Sequence, residues 1–191
     1  MKKTVLFVLS LMLILSFALP AQAEEAEAGN ETMEMTWEDV ESYVELLDME
    51  GDIYEYDGLG IQMWIPAGYE QVELTADDLE SGYIDYFENE TGDSAISMAY
   101  FEGLDWDEEQ LVEALESAGA TNITPIRVNG ISGVMYDLEE ADTGALDFLW
   151  GDGDVLEISF APVSDGETAA KFLIMTYSIR PLEEETSIPA A

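Results

Sequence analysis

The sequence predicts an α+β fold: a mostly antiparallel sheet with helices packed on its faces. Three observations carry this expectation. Short alternating or β-branched runs recur from Ile53 to Ala161, broken by turn signals such as Asp57-Gly58, Asn129-Gly130 and Gly151-Asp152-Gly153. Helical spacing replaces that alternation in three places, near residues 37–49, 106–118 and 166–179. The resulting order is helix, two hairpins, helix, two hairpins, helix, which suits a sheet with its helices laid on top.

The chain begins with features of a signal peptide over residues 1–23. Lys2 and Lys3 precede an apolar run from Thr4 to Leu19, Pro20 ends it, and Ala21-Gln22-Ala23 is a small-x-small cleavage site. The run is short for a membrane span and acids follow it at once. No Cys follows the run and the C-terminal segment lacks a hydrophobic stretch, so the expectation is a secreted, extracellular protein with no membrane insertion after cleavage. Residues 24–35, EEAEAGNETMEM, read as an acidic disordered linker, residues 36–182 as a single α+β domain, and residues 183–191 as a disordered tail.

Within the domain, Thr36 reads as an N-cap with Asp39 three residues on, and Val40, Tyr43, Val44 and Leu47 share one face of a helix from Trp37 to Met49. Ile53–Tyr56 and Ile61–Ile65 form a hairpin across Asp57-Gly58. Tyr69–Leu74 is a short edge strand, and Tyr83–Phe87 pairs with Ala95–Phe101. Asp105 is expected to cap a second helix, Trp106–Ala118, with Leu111, Ala114, Leu115 and Ala118 inward and Gly119 ending it. Ile123–Val128 turns at Asn129-Gly130 into Ile131–Leu138. Residues 139–143 are a loop, and Ala145–Trp150 pairs with Val155–Ala161. Ser164-Asp165-Gly166-Glu167 reads as a capping box for a third helix running to Ile179, the most apolar of the three. All the pairing from residue 53 onward is expected in one sheet.

This order, with Gly60-Ile61-Gln62-Met63-Trp64-Ile65-Pro66 early, Arg127-Val128-Asn129-Gly130-Ile131-Ser132-Gly133 midway and Glu157-Ile158-Ser159-Phe160-Ala161-Pro162 late, resembles the Mog1/PsbP-like α/β/α sandwich group. It looks closest to small secreted bacterial members. The resemblance spans about residues 53–181 and rests on turns and strand ends. It implies a binding or assembly factor rather than a catalyst, and it carries over no site residue.

Composition narrows the chemistry. All 43 acidic side chains follow residue 23, against only Arg127, Lys171 and Arg180. Such a surface repels nucleic acid and anionic membranes and favours cationic partners, divalent ions or plain solubility. The chain has no Cys and no His. That removes disulfides, thiolate chemistry, Ser-His and Cys-His nucleophile pairs, and the commonest zinc and copper ligands.

Several motifs are weaker than they look. Asp142-Thr143-Gly144 matches the aspartic-protease triplet, but Glu139-Glu140-Ala141 places it in a solvated loop, and a single triplet lacks the second carboxylate. Asp105-x-Asp107 and Asp152-x-Asp154 are fragments of calcium loops without the glycine and terminal glutamate such a loop needs. Asn30, Asn89 and Asn122 head glycosylation sequons that chance also supplies. Four Trp and nine Tyr could build a platform for a partner, and Trp64, Trp106 and Trp150 are the candidate contacts, beside acids. The expected function is a secreted, acidic, non-enzymatic binding or assembly module for a protein, peptide or glycan. The alternatives are a carboxylate-based extracellular hydrolase and an acidic protein that holds divalent cations nonspecifically. No cofactor is expected; weak calcium binding stays as an alternative.

Overall fold

The computed structural model describes residues 33–46, 48–150 and 153–182. The expected signal peptide, most of the expected linker, the tail, the sequon at Asn30 and the turn residues Gly151 and Asp152 lie outside the described residues.

Two sheets form, not the one expected. The larger has eight strands: β1 (Met33–Met35), β7 (Thr121–Val128), β8 (Ile131–Leu138), β9 (Thr143–Trp150), β10 (Asp154–Ala161), β6 (Ala95–Phe101), β5 (Tyr83–Asn89) and β4 (Tyr69–Gln71), in that spatial order. The smaller holds β2 (Gly51–Tyr56), β3 (Ile61–Pro66) and β11 (Arg180–Pro181), with β3 central. Within the smaller sheet β3 is buried along both faces and has no polar face to offer solvent. Every pair is antiparallel except β1 with β7. That exception also corrects the linker: Met33–Met35 closes the sheet edge at Ile126–Val128 instead of continuing an acidic disordered segment.

Four α-helices complete the described residues: α1 (Trp37–Leu46), α2 (Ala76–Glu80), α3 (Glu108–Ala118) and α4 (Gly166–Tyr177). α1 is shorter than its periodicity predicts. Asp48 turns the chain with a positive φ before Met49 is reached. α2 was not foreseen; Thr75 and Asp78 cap it reciprocally within a stretch too short for periodicity to show. α3 starts two residues later than expected. Asp107, not Asp105, accepts from the Gln110 backbone, while Gln110 returns a bond to the Asp107 amide. Asp105 has a positive φ instead. The start of α4 is capped by Asp165 alone, and the helix ends at Tyr177, two residues before the expected Ile179. As expected, α4 is the most buried helix, with Phe172 and Ile174–Tyr177 covered.

The main core lies on one face of the large sheet. Phe87, Ile96, Met98, Leu146, Phe148, Ile158 and Phe160 project from the sheet against β3, α1 and α4. The opposite face carries α3 over β7, β8 and β9, with Leu111 and Leu115 packed on Val134, Tyr136 and Ala145. This asymmetry positions the candidate site: one face is sealed by a large core, the other only partly roofed by one helix.

Candidate functional site

β6 and β7 lie at opposite sides of the meander, so the chain between them must cross the sheet. Residues 102–107 make that crossing before α3 begins. The crossing is pinned at the β9–β10 turn, where the Trp106 amide donates to the Gly153 carbonyl at 3.2 Å. Asp154 accepts from the Gly103 amide at 2.6 Å and from the Tyr100 hydroxyl at 2.7 Å. Gly153 is required there, because a Cβ would fall 2.6 Å from the Asp105 Cα.

Between this crossing, α3 and the sheet lies a groove of about 430 Å³. Its walls are apolar, from Phe101, Leu104, Trp106, Leu111, Leu115 and Val155. Its floor is not. Strand alternation puts Tyr136 on β8, Asp147 on β9 and Glu157 on β10 on this face. Asp147 and Glu157 are directly paired residues of the β9–β10 ladder, so their Cβ atoms lie roughly 5 Å apart. The Tyr136 hydroxyl stands between them, 3.3 Å from Asp147 Oδ1 and 3.4 Å from Glu157 Oε2. Asp147 is only 4 % exposed. Among the described residues no Lys or Arg lines the groove.

The electrostatics follow from that burial. Loss of water, reinforced by the neighbouring Glu157 charge, pushes the Asp147 carboxyl up to about 8, with the Tyr136 hydroxyl opposing the shift. Glu157 is raised as well, chiefly by burial. Burial and then the Asp147 and Glu157 charges push the Tyr136 phenol upward. The floor is therefore short of positive charge and of hydrogen-bond donors.

The three tryptophans named from the sequence fare differently. Trp64 is 4 % exposed, in the main core, and is withdrawn as a contact. In β3 the alternation was ambiguous because both faces are covered. Trp106 is half-buried and lines the groove beside Asp147 and Glu157. Trp150 is half-buried against the main core and is not in that lining. Sequence reasoning missed Asp147 and Glu157: among 43 acids neither stands out, and only their inward register on apolar strands could have marked them.

The other acidic motifs hold structure together. Asp142, in the protease-like triplet, has a positive φ and accepts from the Ser164 amide and hydroxyl, tying the β8–β9 connection to the start of α4. Asn89 and Asn122 spend their side chains on Asp93, Ser94 and Asp137. Among the described residues no cluster of three or more acids could hold a metal ion, and no helix is long and apolar enough to cross a membrane.

No protein-family model and no curated protein matches the chain. It is similar to a solved structure from Bacteroides thetaiotaomicron VPI-5482, with a TM-score of 0.45 and 15 % identity over 71 % of this chain. The match covers 50 % of that protein, so this chain spans about half its length. The class defined by the fold is α+β, with a sheet-dominated architecture carrying helices.

Proposed function

We propose that this protein is a secreted, non-enzymatic binding module whose site is the groove under α3, and that the group it binds is an organic cation on an apolar stem. The observation that carries this is the paired Asp147 and Glu157 at the floor of an apolar groove with no basic side chain in its lining. An ammonium group is the complement of two adjacent carboxyls, one buried and one half-buried. Leu104, Leu111, Leu115 and Val155 suit an alkyl stem, and the Trp106 ring, in the same lining as the two carboxyls, suits the ammonium end. The excess of acids over bases steers cations toward the whole surface. A lysine side chain of a peptide or protein partner has this chemistry. The resemblance to the Mog1/PsbP-like group points the same way, toward binding rather than turnover.

Calorimetric titration with n-hexylammonium, hexanol and hexanoate tests the reading. Saturable one-to-one binding of hexylammonium is expected, much weakened by Trp106→Ala and by the Asp147→Asn, Glu157→Gln pair, with hexanoate inert. Equal binding of hexanol and hexylammonium, or binding indifferent to the carboxyl pair, would sink it. A second reading, the carboxylate-based hydrolase, draws on the same pair, since an un-ionised acid beside a carboxylate is what glycoside hydrolysis employs. Turnover of aryl glycosides by the wild type, lost in Asp147→Asn, would favour that reading over simple binding.

A further inference from the structure

We infer that the Asp147–Tyr136–Glu157 cluster retains one proton beyond the phenol's own in the empty groove, and that a cation enters by replacing it. The inference rests on the binding reading and specifies how occupancy is regulated.

The geometry is the starting point. Among the described residues Tyr136 is the one side chain that donates to either carboxyl, and it stands nearly equidistant from both, at 3.3 and 3.4 Å. A phenol has one proton to give. Shared between two acceptors at that range, it satisfies neither well, because a good hydroxyl donor lies nearer 2.7–2.8 Å from its acceptor. Two ionised carboxyls would then face each other across adjacent strands with one poor donor between them. Buried like charges resolve such a conflict by keeping a proton.

Among the described residues nothing packed around the cluster supplies another charge to relieve it. α3 presents Leu111, Ala114, Leu115 and Ala118 to the groove, while its Glu108, Glu109, Glu113 and Glu116 are exposed. The crossing segment presents Leu104 and Trp106, and the end of β6 presents Phe101. The three strands contribute Tyr136, Asp147 and Glu157 themselves. The upward shift of both carboxyls agrees with this arrangement.

The exchange balances simply. An incoming ammonium keeps its own proton, since its ordinary pKa of about 10.4 lies well above neutrality. It brings one positive charge into contact with both carboxyls, the cluster loses its reason to hold the extra proton, and that proton leaves to solvent. The net charge of the site is unchanged by the exchange, so burial of the cation adds no further uncompensated charge. Affinity is then low where the cluster holds its proton firmly and rises with pH.

Two measurements test this. Infrared difference spectra of the ligand-free protein at neutral pH should show the carbonyl stretch of an un-ionised carboxylic acid, shifted in heavy water and absent from Asp147→Asn. Calorimetry with n-hexylammonium in buffers of different ionisation enthalpy should count about one proton released per ligand near pH 6–7. Kd should fall about tenfold per pH unit there and level off above the titration of the cluster. Glu157→Gln, which keeps shape, removes the repulsion and offers Asp147 an amide donor, should release fewer protons per ligand than the wild type at the same pH. Absence of the un-ionised carboxyl signal overturns the retained proton. Its presence with hexylammonium bound and no proton released overturns the exchange. Its presence with no hexylammonium bound overturns both the exchange and the binding reading, while the retained proton stands.

Discussion

Asn129 Nδ2 donates to the Ile179 carbonyl at 2.6 Å, across 50 residues of sequence. The same nitrogen reaches the Tyr177 carbonyl at 3.0 Å, and Asn129 Oδ1 accepts from the Trp37 amide at 2.8 Å. One hairpin residue thus joins the start of α1 to the end of α4. Its own backbone is left-handed, φ 48°, as the two-residue turn into Gly130 requires.

Asn129→Gly and Asn129→Asp should separate the two roles. Glycine keeps the turn and loses all three side-chain bonds. Aspartate keeps an acceptor for Trp37 but sets a charge against two carbonyls. Both should destabilise the protein in urea unfolding, glycine by roughly 1–3 kcal/mol and aspartate by more. A glycine variant with wild-type stability would reduce Asn129 to a turn residue.

Gly51 and Trp64 make the second pair. A Cβ on Gly51 would fall 2.4 Å from Trp64 Cε2 and from the Ile65 carbonyl oxygen. Gly51→Ala should therefore push the indole off its seat, costing about 1–3 kcal/mol and shifting tryptophan emission. Gly58→Ala, where the added methyl meets open space, is the control and should be nearly silent. If the two variants melt together, the close approach at Gly51 is not what seats Trp64.

These contacts show which parts of the fold were legible beforehand. Local signals read well. The Asn129-Gly130 hairpin, the left-handed Gly119 after α3 and the inward Leu111 and Leu115 all follow from turn chemistry or period. Long-range choices did not. Nothing in Ile53–Ile65 says that the hairpin joins β11 instead of the large sheet, because a strand covered on both faces looks the same in either. Met33–Met35 was hidden by its acidic surroundings, since three residues are too few to show a period. The site was half legible: Trp106 was named, but the carboxyls beneath it acquire meaning only once β9 and β10 are in register.

Charge excess gives a prediction about salt. With 43 acids against five bases, folding crowds like charges and self-repulsion opposes it. Sodium chloride at about 0.15 M screens beyond roughly 8 Å and should raise Tm. Among the described residues no acidic cluster suits a metal, so calcium and magnesium should act alike at matched ionic strength. A saturable gain with calcium where magnesium does little would reveal a specific site. A Tm indifferent to all three salts would remove the repulsion argument.

The last prediction concerns pH, and its sign is set by Asp147. An unfolded aspartate titrates near 3.9, whereas burial and the Glu157 charge push Asp147 up to about 8 in the folded protein. Below about pH 4 the side chain is protonated in both states and contributes nothing to the difference. Between about 4 and 8 the unfolded chain has released the proton and the folded chain still holds it, so stability falls as pH rises. Above about 8 both states are ionised, and the loss, on the order of a few kcal/mol, is complete and constant. Asp147→Asn is neutral throughout and can donate Nδ2–H to Glu157, so it escapes this slope. Other carboxyls titrate in wild type and variant alike and largely cancel in the comparison. The variant should match the wild type near pH 4, grow progressively more stable relative to it up to pH 8, and hold a constant lead beyond. Urea midpoints at half-unit steps from pH 4 to 9 provide the measurement. Curves that stay parallel through that window would mean that Asp147 ionises normally in the folded protein.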